Sequence, residues 1–519
     1  MAKALKNRAS KQPYISAGQL VLAGFESPFS HHLLSSNRWV KLAHRIPWDA
    51  LVNTYHRQLG NQYTGASSIN PRVAIGAVII KHLCNLSDRE TILQIQENMY
   101  MQYFISYTSF SHEEPFDPSL FVDIRKRLTL EHINEINEKI LGLIKSEEEG
   151  NKESIQATGG NEHALSDAPP QSDKNESTAE QSDSEQQRQS DEKPNAGTLL
   201  MDATACPHDI AYPTDLNLLN DAREKSEELI DILHSGLTID KPRTYREVAR
   251  KQYLSTAQKK KKTKKEIRIA LRRQLQYLKR NIKHIHQLLG EYERIPFKRQ
   301  QYKYLLVIQT LYDQQKYMYD HRVHSVEDRI VSIHQPHVRP IVRGKTNAAV
   351  EFGAKIQVAL VNGIAFLDEL SWDAFNEGVR LQQSVENFKR RFGYYPREVL
   401  ADRIYCTREN RKWLKKYDIK LRAKPLGRPS SNRALSIPVR PGERNPIEGK
   451  FGQAKAAYGM NRIKARLNTT SQSWIASIVL VLNLVNLIGE ASLCVLMKLI
   501  AWLRQEHLRK NLNLCIPRT

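Results

Sequence analysis

The sequence predicts a mixed α/β domain that is interrupted by a long helical insert and preceded by an all-α region. Apolar residues recur at helical spacing over residues 1–145, and residues 216–320 are helical and highly charged. After residue 326, short apolar strand-like runs alternate with helical segments. Strands that alternate with helices are typical of a sheet covered by helices, which is the α/β class.

Composition narrows the class of protein. Lys plus Arg number 78 and Asp plus Glu 56 among 519 residues, a formal charge of +22 that predicts a polyanionic partner such as nucleic acid or an anionic membrane surface. The five cysteines are far apart and form no C-x-x-C pair. A disulfide framework and a zinc ribbon are therefore not expected, and a reducing cytoplasm is. The most apolar stretch, Trp474–Ile488, is shorter than the roughly 20 residues of a membrane span, so we expect a buried core helix.

Helix-start signals organise the N-terminal region. Asn70-Pro71 places an N-cap before proline, Ser87–Glu90 has the pattern of a capping box, and Asp117-Pro118 opens a third helix. A fourth helix is predicted through Ile133–Ile144. The first two helices meet near Asn85-Leu86, and their spacing fits a helix-turn-helix and an ordinary helical bundle equally well.

Residues 146–197 differ from the rest of the chain. This stretch has no aromatic residue and contains thirteen acidic and four basic residues, a net charge of −9. It cannot bury enough apolar surface to offset the entropy of ordering. The sequence predicts a disordered acidic linker.

Beyond the linker, strands and helices alternate. The predicted strands are Leu199–Thr204, Arg329–Ile333, Phe352–Val361, Ile364–Trp372, Glu398–Asp402 and Ile419–Ala423. The predicted helices of this part are Val379–Phe392, Asn410–Tyr417 and Arg444–Tyr458. The domain boundaries that follow are 1–145 (helical, to which the family resemblance described below assigns DNA-end binding), 146–197 (linker), 198–215 (first core strand), 216–325 (charged helical insert), 326–470 (remainder of the core) and 471–519 (apolar helix and basic tail).

Two carboxylates, Asp202 and Asp402, are placed at predicted strand ends, and Glu448 lies in a late helix. Sites in α/β sheets are built at strand ends, and three converging carboxylates suit Mg²⁺, which prefers oxygen ligands. Two such ions can assist an in-line phosphoryl displacement. The alternative is that each aspartate only caps the turn after its strand.

The helix of Glu448 carries two cations at helical spacing. Arg444, Glu448 and Lys455 stand at i, i+4 and i+11, so they share a helix face. Cations on both sides of a metal-binding carboxylate could grip phosphates beside the reactive one. Intrahelical ion pairs on an exposed helix are the alternative.

Further cations are candidates for contact with a phosphate backbone. Between Gln258 and Lys283 there are twelve Lys or Arg and one acid, which favours phosphate binding over a merely solvated helix face. Arg343 and Lys345 flank a glycine in a predicted loop, where a phosphate contact and a solvated turn are equally plausible. The lysines that we expect to contact phosphates in the basic run are Lys259, Lys260, Lys261, Lys262, Lys264 and Lys265.

A set of motifs covering nearly the whole chain outside the linker resembles the bacterial insertion-sequence transposases of the DDE type, which belong to the RNase H-like nuclease superfamily. The N-terminal motifs are Pro71–Leu83, Leu86–Glu90, Phe116–Ser119 and Arg125–Leu128. The motifs of the core are Met201–Thr204, Ala211–Asp215, Ser332–Lys345, Glu351–Lys355, Leu400–Tyr405 and Arg444–Gly452.

The resemblance implies an RNase H-like catalytic core in which Asp202, Asp402 and Glu448 are the catalytic, metal-binding triad. It also maps the family signature Y(2)R(3)E(6)K onto Arg444, Glu448 and Lys455, with Pro441 where that signature has tyrosine. Residue 404, usually glycine in the related motif, is isoleucine. The implied cofactor is Mg²⁺, as two ions for which Mn²⁺ can substitute.

The expected function is that of a DNA transposase. It would bind the terminal inverted repeats of its element, cleave DNA by metal-dependent phosphodiester hydrolysis and join the 3′-hydroxyl to target DNA. The resemblance implies double-stranded DNA as the partner, a homodimer on paired ends, and a bacterial cytoplasm with binding at the nucleoid. The alternatives are a non-catalytic DNA-binding protein, such as a decayed or repurposed transposase, and a stand-alone Mg²⁺-dependent endonuclease.

Overall fold

The described part of the N-terminal region contains seven helices. The computed structural model describes residues 33–57, 69–140, 142, 194–345, 348–424 and 442–488, with the side chains of residues 343–349 left out of that description. The helices are α1 (Arg38–Arg45), α2 (Trp48–His56), α3 (Pro71–Cys84), α4 (Asp88–Glu97), α5 (Met99–Phe104), α6 (Phe121–Arg127) and α7 (residues 130–140).

Local capping accounts for where these helices begin. The Asn70 side chain accepts a hydrogen bond from the amide of Arg72 (2.9 Å), and Ser87 Oγ accepts one from the amide of Glu90 (3.1 Å). Asp117 accepts one from the amide of Ser119 (2.8 Å), at the start of the short 3₁₀ helix that leads into α6. The predicted helix starts are confirmed, because each side chain satisfies an amide that the helix itself leaves unpaired.

Within the described residues, six strands form one mixed sheet, which confirms the α/β class. They are β1 (Thr198–Pro207), β2 (Arg339–Lys345), β3 (Ala348–Val361), β4 (Ile364–Ser371), β5 (Glu398–Leu400) and β6 (Lys420–Arg422). The order is β2-β3-β1-β5-β6, and β4 pairs with β3. β1 is antiparallel to β3 and parallel to β5, which is in turn parallel to β6, so β1 lies in the interior of the sheet.

Helices cover both faces of the sheet. One face packs against α12 (Leu381–Phe392) and α13 (Arg408–Lys416). The other face shares a core with α14 (Asn445–Ala456), α15 (Asn468–Leu487) and the N-terminal helices.

Helix α15 confirms the buried core helix expected around Trp474–Ile488. Its length and composition would allow it to cross a membrane, but 83% of its apolar window is buried in the fold. The Asn483 amide accepts from the amide of Ala365 and donates to its carbonyl, both at 2.8 Å. It also donates to Asn137 of α7 (3.1 Å), so a polar residue in the apolar stretch joins strand β4 to the N-terminal helices.

The insert between β1 and β2 forms a helical unit with its own apolar cluster. It consists of α8 (Asp215–His234), α9 (Arg246–Ala257), α10 (Lys264–Gly290) and α11 (Arg299–His321). Leucine and isoleucine side chains from α8, α10 and α11 pack together, and Ile330 and Ile333 join them. The helices that the sequence predicts over residues 216–320 are present.

The packing of Ile330 and Ile333 against the insert helices explains why one predicted strand is wrong. Residues Arg329–Ile333 form no strand, because the amide of Ile330 donates to the Gln314 side chain of α11 (3.0 Å) and the apolar residues face the insert. The strand instead follows as β2. Arg343 and Lys345, expected in a loop, therefore lie on a strand, and their side chains are outside the described residues.

The position of Asp202 within its strand also differs from the expectation. β1 continues five residues past Asp202, so this aspartate is inside the strand and not at its end. The extension is possible because Gly353 of β3 lets the two backbones approach closely: a Cβ there would be 2.1 Å from the carbonyl oxygen of Cys206. The predicted linker lies outside the described residues up to residue 193, as do Pro441 and residues 489–519.

Candidate active site

Parallel pairing of β1 and β5 brings Asp202 and Asp402 together. The last paired residues of these strands are Leu200 and Leu400, and each aspartate follows two residues later. Asp202 Oδ1 accepts a hydrogen bond from the amide of Ala203 (2.8 Å), and Asp402 Oδ1 accepts one from the amide of Arg403 (2.7 Å). Each carboxylate is thus held by the amide that follows it and makes a further contact, Asp202 through Oδ2 and Asp402 through Oδ1 again.

That further contact comes from a third segment of the chain. Arg444, the residue that precedes α14, lies 3.0 Å from Asp202 and 3.2 Å from Asp402 through its two terminal nitrogens. The Asp202 side chain is 18% exposed and that of Asp402 is 56% exposed. One guanidinium therefore bridges two aspartates that are 200 residues apart in the sequence. Aspartates that only capped their own turns would not need to share a cation, so turn capping alone does not account for this contact.

Glu448 occupies the first turn of α14 and is exposed. Its amide donates to the carbonyl of Arg444 (3.4 Å), so the two residues are one helical turn apart, as the spacing predicted. Arg444 nonetheless pairs with the two aspartates, so the alternative in which it pairs only within its own helix is wrong. Lys455 lies further along α14 and is half-buried.

The site carries an excess of negative charge. The pKa of Asp202 is raised to about 6: burial raises it most, the carboxylates of Glu377 and Asp402 add to the rise, and the Ala203 amide and Arg444 oppose it. A carboxyl with a raised pKa is one whose ionised form is poorly stabilised by its surroundings. A further cation bound beside Asp202 would therefore stabilise the ionised form of this carboxyl.

Glu377 is a member of this neighbourhood that the sequence did not reveal. It begins a short 3₁₀ helix (Glu377–Arg380) and pairs with Lys355 of β3 at 2.9 Å. Asn410 joins this turn to the one after Asp402 by donating to the carbonyls of Gly378 (2.6 Å) and Tyr405 (2.9 Å). Glu377 has the sequence context of an ordinary helix start. Nothing in the spacing distinguishes it from the other acidic residues of the chain.

The substitution of isoleucine at position 404 is compatible with the site. Ile404 lies in the 3₁₀ turn Arg403–Tyr405, where Asp402 is the N-cap, and its side chain points partly into solvent. A 3₁₀ turn uses backbone angles that any L-residue adopts. Glycine is therefore not required at this position.

The three predicted metal ligands are carboxylates, which suit a hard divalent cation, but the structure brings only two of them together. Asp202 and Asp402 already share one cation, the guanidinium of Arg444, and carboxylate oxygens are the ligands that Mg²⁺ prefers. Within the described ranges, no group of three or more His, Cys, Asp or Glu side chains is close enough to hold a metal ion. Two of the three predicted ligands are thus brought together, and Glu448 stands on the adjoining helix turn.

The basic run lies apart from these carboxylates, in the insert. Lys259 pairs with Glu266 (2.6 Å), and Lys262 donates to the carbonyl of Ala257 (2.9 Å). The other members of the predicted set are exposed, namely Lys260, Lys261, Lys264 and Lys265. Four of the six lysines therefore present their charge to solvent, where phosphates could reach them.

Comparison with known proteins gives two matches to family models. A model described as "Transposase DDE domain" matches residues 399–485, which include Asp402, Arg444, Glu448 and Lys455 but not Asp202. A model described as "Transposase domain (DUF772)" matches residues 28–127.

A relative is recognised over a short region. "Uncharacterized protein ORF8 in nfe locus" from Rhizobium meliloti is 32% identical over 100 residues, which are 19% of this chain and 46% of that protein. The chain thus spans less than half the length of the curated relative that it matches. No solved structure matches the chain. Both family matches, one in the N-terminal helices and one around Asp402 and α14, are to transposase domains, and together they indicate an insertion-sequence transposase of the DDE type.

Proposed function

We propose that the protein binds the terminal inverted repeats of its element, cleaves DNA in a Mg²⁺-dependent reaction and joins the freed 3′-hydroxyl to target DNA. The observation that carries this proposal is the convergence of Asp202, Asp402 and the start of α14 on one cation, Arg444. The match to a DDE transposase domain over residues 399–485 supports it.

We also propose that the core is RNase H-like and that Asp202, Asp402 and Glu448 are its triad. Support comes from the strand arrangement, in which an interior β1 has an antiparallel neighbour on one side and two successive parallel neighbours on the other. Asp202 and Asp402 lie on the two adjacent parallel segments, and Glu448 comes from a helix that packs on the same sheet.

In this proposal Asp202, Asp402 and Glu448 would hold Mg²⁺. Bound Mg²⁺ would stabilise charge on the transferring phosphate and activate the attacking oxygen. The contacts that the two aspartates make with the following amides fix their orientation before any cation arrives. Arg444 occupies the space between the two carboxylates, so it would have to release at least one of them.

Once Arg444 has released a carboxylate, its guanidinium can bind a DNA phosphate. A guanidinium binds phosphate with two parallel hydrogen bonds, and Arg444 stands at the start of α14, whose N-terminal amides also favour anions. We propose that Arg444 and Lys455 orient the phosphates that flank the reactive bond.

The surfaces that hold DNA away from the reactive bond are also part of the proposal. We assign the N-terminal helices to recognition of the element ends and the exposed lysines of the insert to the phosphate backbone, with Arg343 and Lys345 as further candidates. The active species would be a homodimer on paired ends, working at the nucleoid of a bacterial cytoplasm.

The test is an excision assay. A plasmid carrying the gene with its native flanking DNA is incubated with the purified protein and Mg²⁺, and ends and junctions are sequenced. We expect double-strand ends at inverted repeats and joined products, both lost with EDTA. Cleavage without joining would favour the endonuclease, and binding without cleavage would favour the non-catalytic alternative.

The role of the insert has a separate test. Lys260, Lys261, Lys264 and Lys265 are changed to Gln together, and DNA affinity is measured against salt concentration. The slope of log K against log salt should become shallower by roughly 0.9 for each lost phosphate contact. The loss should be equal for end-containing and random DNA, because phosphate contacts position the protein and do not read sequence.

A charge-matched control uses four other exposed lysines, Lys412, Lys415, Lys416 and Lys420, on and after α13. Their replacement removes the same charge from a different surface. Equal slopes for the two quadruple variants would show that only net charge matters and that the insert has no special role.

A further inference from the structure

The hydroxyl of Tyr405 makes a buried contact close to the two aspartates. Tyr405 lies three residues after Asp402, and its side chain is fully buried. The hydroxyl donates a hydrogen bond of 2.9 Å to Oε1 of Gln357, whose side chain is also fully buried. Gln357 lies in β3, opposite Ala203 of β1. The hydrogen bond therefore joins the turn after Asp402 to the strand that pairs with the residue following Asp202.

The position of Asp402 depends on this turn. The parallel pairing of β5 with β1 ends at Leu400, two residues before Asp402. The following residues form a 3₁₀ turn, in which the amide of Tyr405 donates to the carbonyl of Asp402 (3.1 Å). Because the pairing stops before Asp402, the place of this carboxylate relative to Asp202 depends on what anchors the turn.

The backbone of the turn is packed tightly against the turn of Glu377. A Cβ at Gly378 would be 2.7 Å from the carbonyl oxygen of Ile404, so the two turns are in close contact there. The Asn410 side chain bonds to a carbonyl of each. These contacts fix the turns to each other, and the hydroxyl of Tyr405 adds a direct hydrogen bond from the Asp402 turn to the sheet.

The two polar side chains lie in apolar surroundings. Tyr405 belongs to the apolar cluster between the sheet and helices α12 and α13, together with Met201 and Ala359. Gln357 is two residues from Ala359 in β3, so it faces the same cluster. Within the described residues, Nε2 of Gln357 has no hydrogen-bond partner. Phenylalanine and methionine would fill the same space without burying polar groups, so stability alone does not account for this pair.

The charges of the site act on this hydroxyl. Burial raises the pKa of Tyr405 most, and the carboxylates of Glu377 and Asp202 add to the rise, while the hydrogen bond to Gln357 and the charge of Arg444 lower it. The resulting pKa is well above the usual value for tyrosine. The hydroxyl therefore keeps its proton, and donates it to Gln357, at any pH at which DNA cleavage would be measured.

We propose that the Tyr405–Gln357 hydrogen bond is a positioning contact that holds Asp402 where it can share Mg²⁺ with Asp202. The inference rests on the proposed Mg²⁺-dependent cleavage and deepens it, because it assigns two residues beyond the three carboxylates. Tyr405 acts through Asp402 and is a positioning residue, not a catalytic one. Removing a partner that orients a metal ligand typically costs 10–100-fold in metal affinity or activity.

The test measures metal binding apart from cleavage. Mn²⁺ binding to the full chain is followed by electron paramagnetic resonance, and Asp402→Ala identifies the ion that belongs to the site. The double variant Tyr405→Phe/Gln357→Met removes both polar partners at similar volume, so its free energy of unfolding should change little. Its dissociation constant for Mn²⁺, and the Mg²⁺ concentration for half-maximal single-turnover cleavage, should each rise by about tenfold or more.

A matched control removes a hydroxyl from the same apolar cluster. Tyr395 is 8% exposed, and its hydroxyl donates to Oε1 of Glu386 in α12 (2.9 Å), not to the Asp402 turn. Tyr395→Phe should therefore keep the wild-type Mn²⁺ affinity and Mg²⁺ requirement. The single variants Tyr405→Phe and Gln357→Met should each resemble the double variant in metal affinity, because either one breaks the same hydrogen bond.

The outcomes separate positioning from a structural role and from the wider function. Wild-type Mn²⁺ affinity in the folded double variant, or in folded Tyr405→Phe if the double variant does not fold, would overturn the inference, as would an equal loss in Tyr395→Phe. Denaturant titration shows which variants are folded. Mn²⁺ affinity that depends on Tyr405 in a protein that cleaves no DNA would support the positioning contact and contradict the proposed function. A wild type without Asp402-dependent Mn²⁺ binding would contradict both.

Discussion

Two ionic clusters in this molecule contain the same kinds of side chain in opposite proportions. Around Asp88, two cations surround one carboxylate. Lys81 lies 2.9 Å from its Oδ1, and Arg125 donates two hydrogen bonds of 2.9 Å to it. Around Asp202, one cation, Arg444, serves two carboxylates, and the nearby Glu377 is itself paired with Lys355. The first ratio stabilises the carboxylate and the second leaves it in need of a cation.

The pKa values of the two aspartates report this difference. Burial works to raise both, but hydrogen bonds from Arg125 and the charge of Lys81 overcome it and hold the pKa of Asp88 below its usual value. The pKa of Asp202 is raised to about 6. The Asp88 cluster also has a clear structural task, since Lys81 and Arg125 lie over the ring of Trp474 and so join α3, α4 and α6 to α15.

The comparison teaches how to separate a structural ion cluster from a functional one. A cluster that completes its own charge holds helices together, whereas one that keeps excess negative charge beside the paired strands β1 and β5 is prepared for a ligand. Substitutions in the two clusters should therefore have opposite consequences.

The largest expected effect is on catalysis. Asp202→Ala or Asp402→Ala should lower cleavage by roughly a thousandfold or more, with DNA binding nearly unchanged, because each removes a group that acts with the others as a unit. Single-turnover cleavage and a binding titration measure the two quantities. Near wild-type cleavage in either variant would contradict the triad.

A graded effect is expected on α14. Glu448→Gln should be the least active variant, since an amide cannot replace a carboxylate as a metal ligand, while Arg444→Gln and Lys455→Gln should lose on the order of tenfold to a thousandfold in rate. Single-turnover rates measure the order. Glu448→Gln with activity equal to the two cation variants would remove Glu448 from the site, and Glu443, which pairs with Arg422, would be the nearest alternative acid.

The Asp88 cluster should respond in stability and not in chemistry. Asp88→Asn leaves Lys81 and Arg125 buried without their counter-ion and should lower the free energy of unfolding by about 3 kcal/mol at pH 7. Denaturant titration measures this change. The matched control is Asp123→Asn, whose exposed pair with Lys126 should contribute less than about 1 kcal/mol.

At Asp202 the same kind of substitution should stabilise the fold. The folded-state pKa is raised to about 6, so the folded chain holds this proton more tightly than the unfolded chain, and stability falls as pH rises from about 4 to about 6. Asp202→Asn does not titrate and should therefore be more stable than the wild type above pH 6, by on the order of 1–2 kcal/mol, with the difference gone below about pH 4. Unfolding at pH 7.5 and pH 4 tests this, and a destabilised variant at pH 7.5 would contradict the functional interpretation of the cluster.

The sequence by itself determined the parts of the fold that depend on near neighbours. Asn70, Ser87 and Asp117 each satisfy an amide two or three residues away, so their helix starts are decided locally. The long apolar runs of β3 and α15 and the charged insert were equally recoverable, because apolar spacing reflects which face of an element is buried.

The tertiary structure decided what depends on partners far along the chain. Arg329–Ile333 has the composition of a strand, but the insert helices cover its apolar side chains and no strand forms. Arg444 has an acid one turn away at Glu448, yet its charge goes to Asp202 and Asp402. Glu377 lies in a turn that Asn410 joins to the one after Asp402, a contact between distant parts of the chain. A charged side chain chooses among all carboxylates within a few ångströms in space, and that set is defined by strand pairing and helix packing and not by spacing in the sequence.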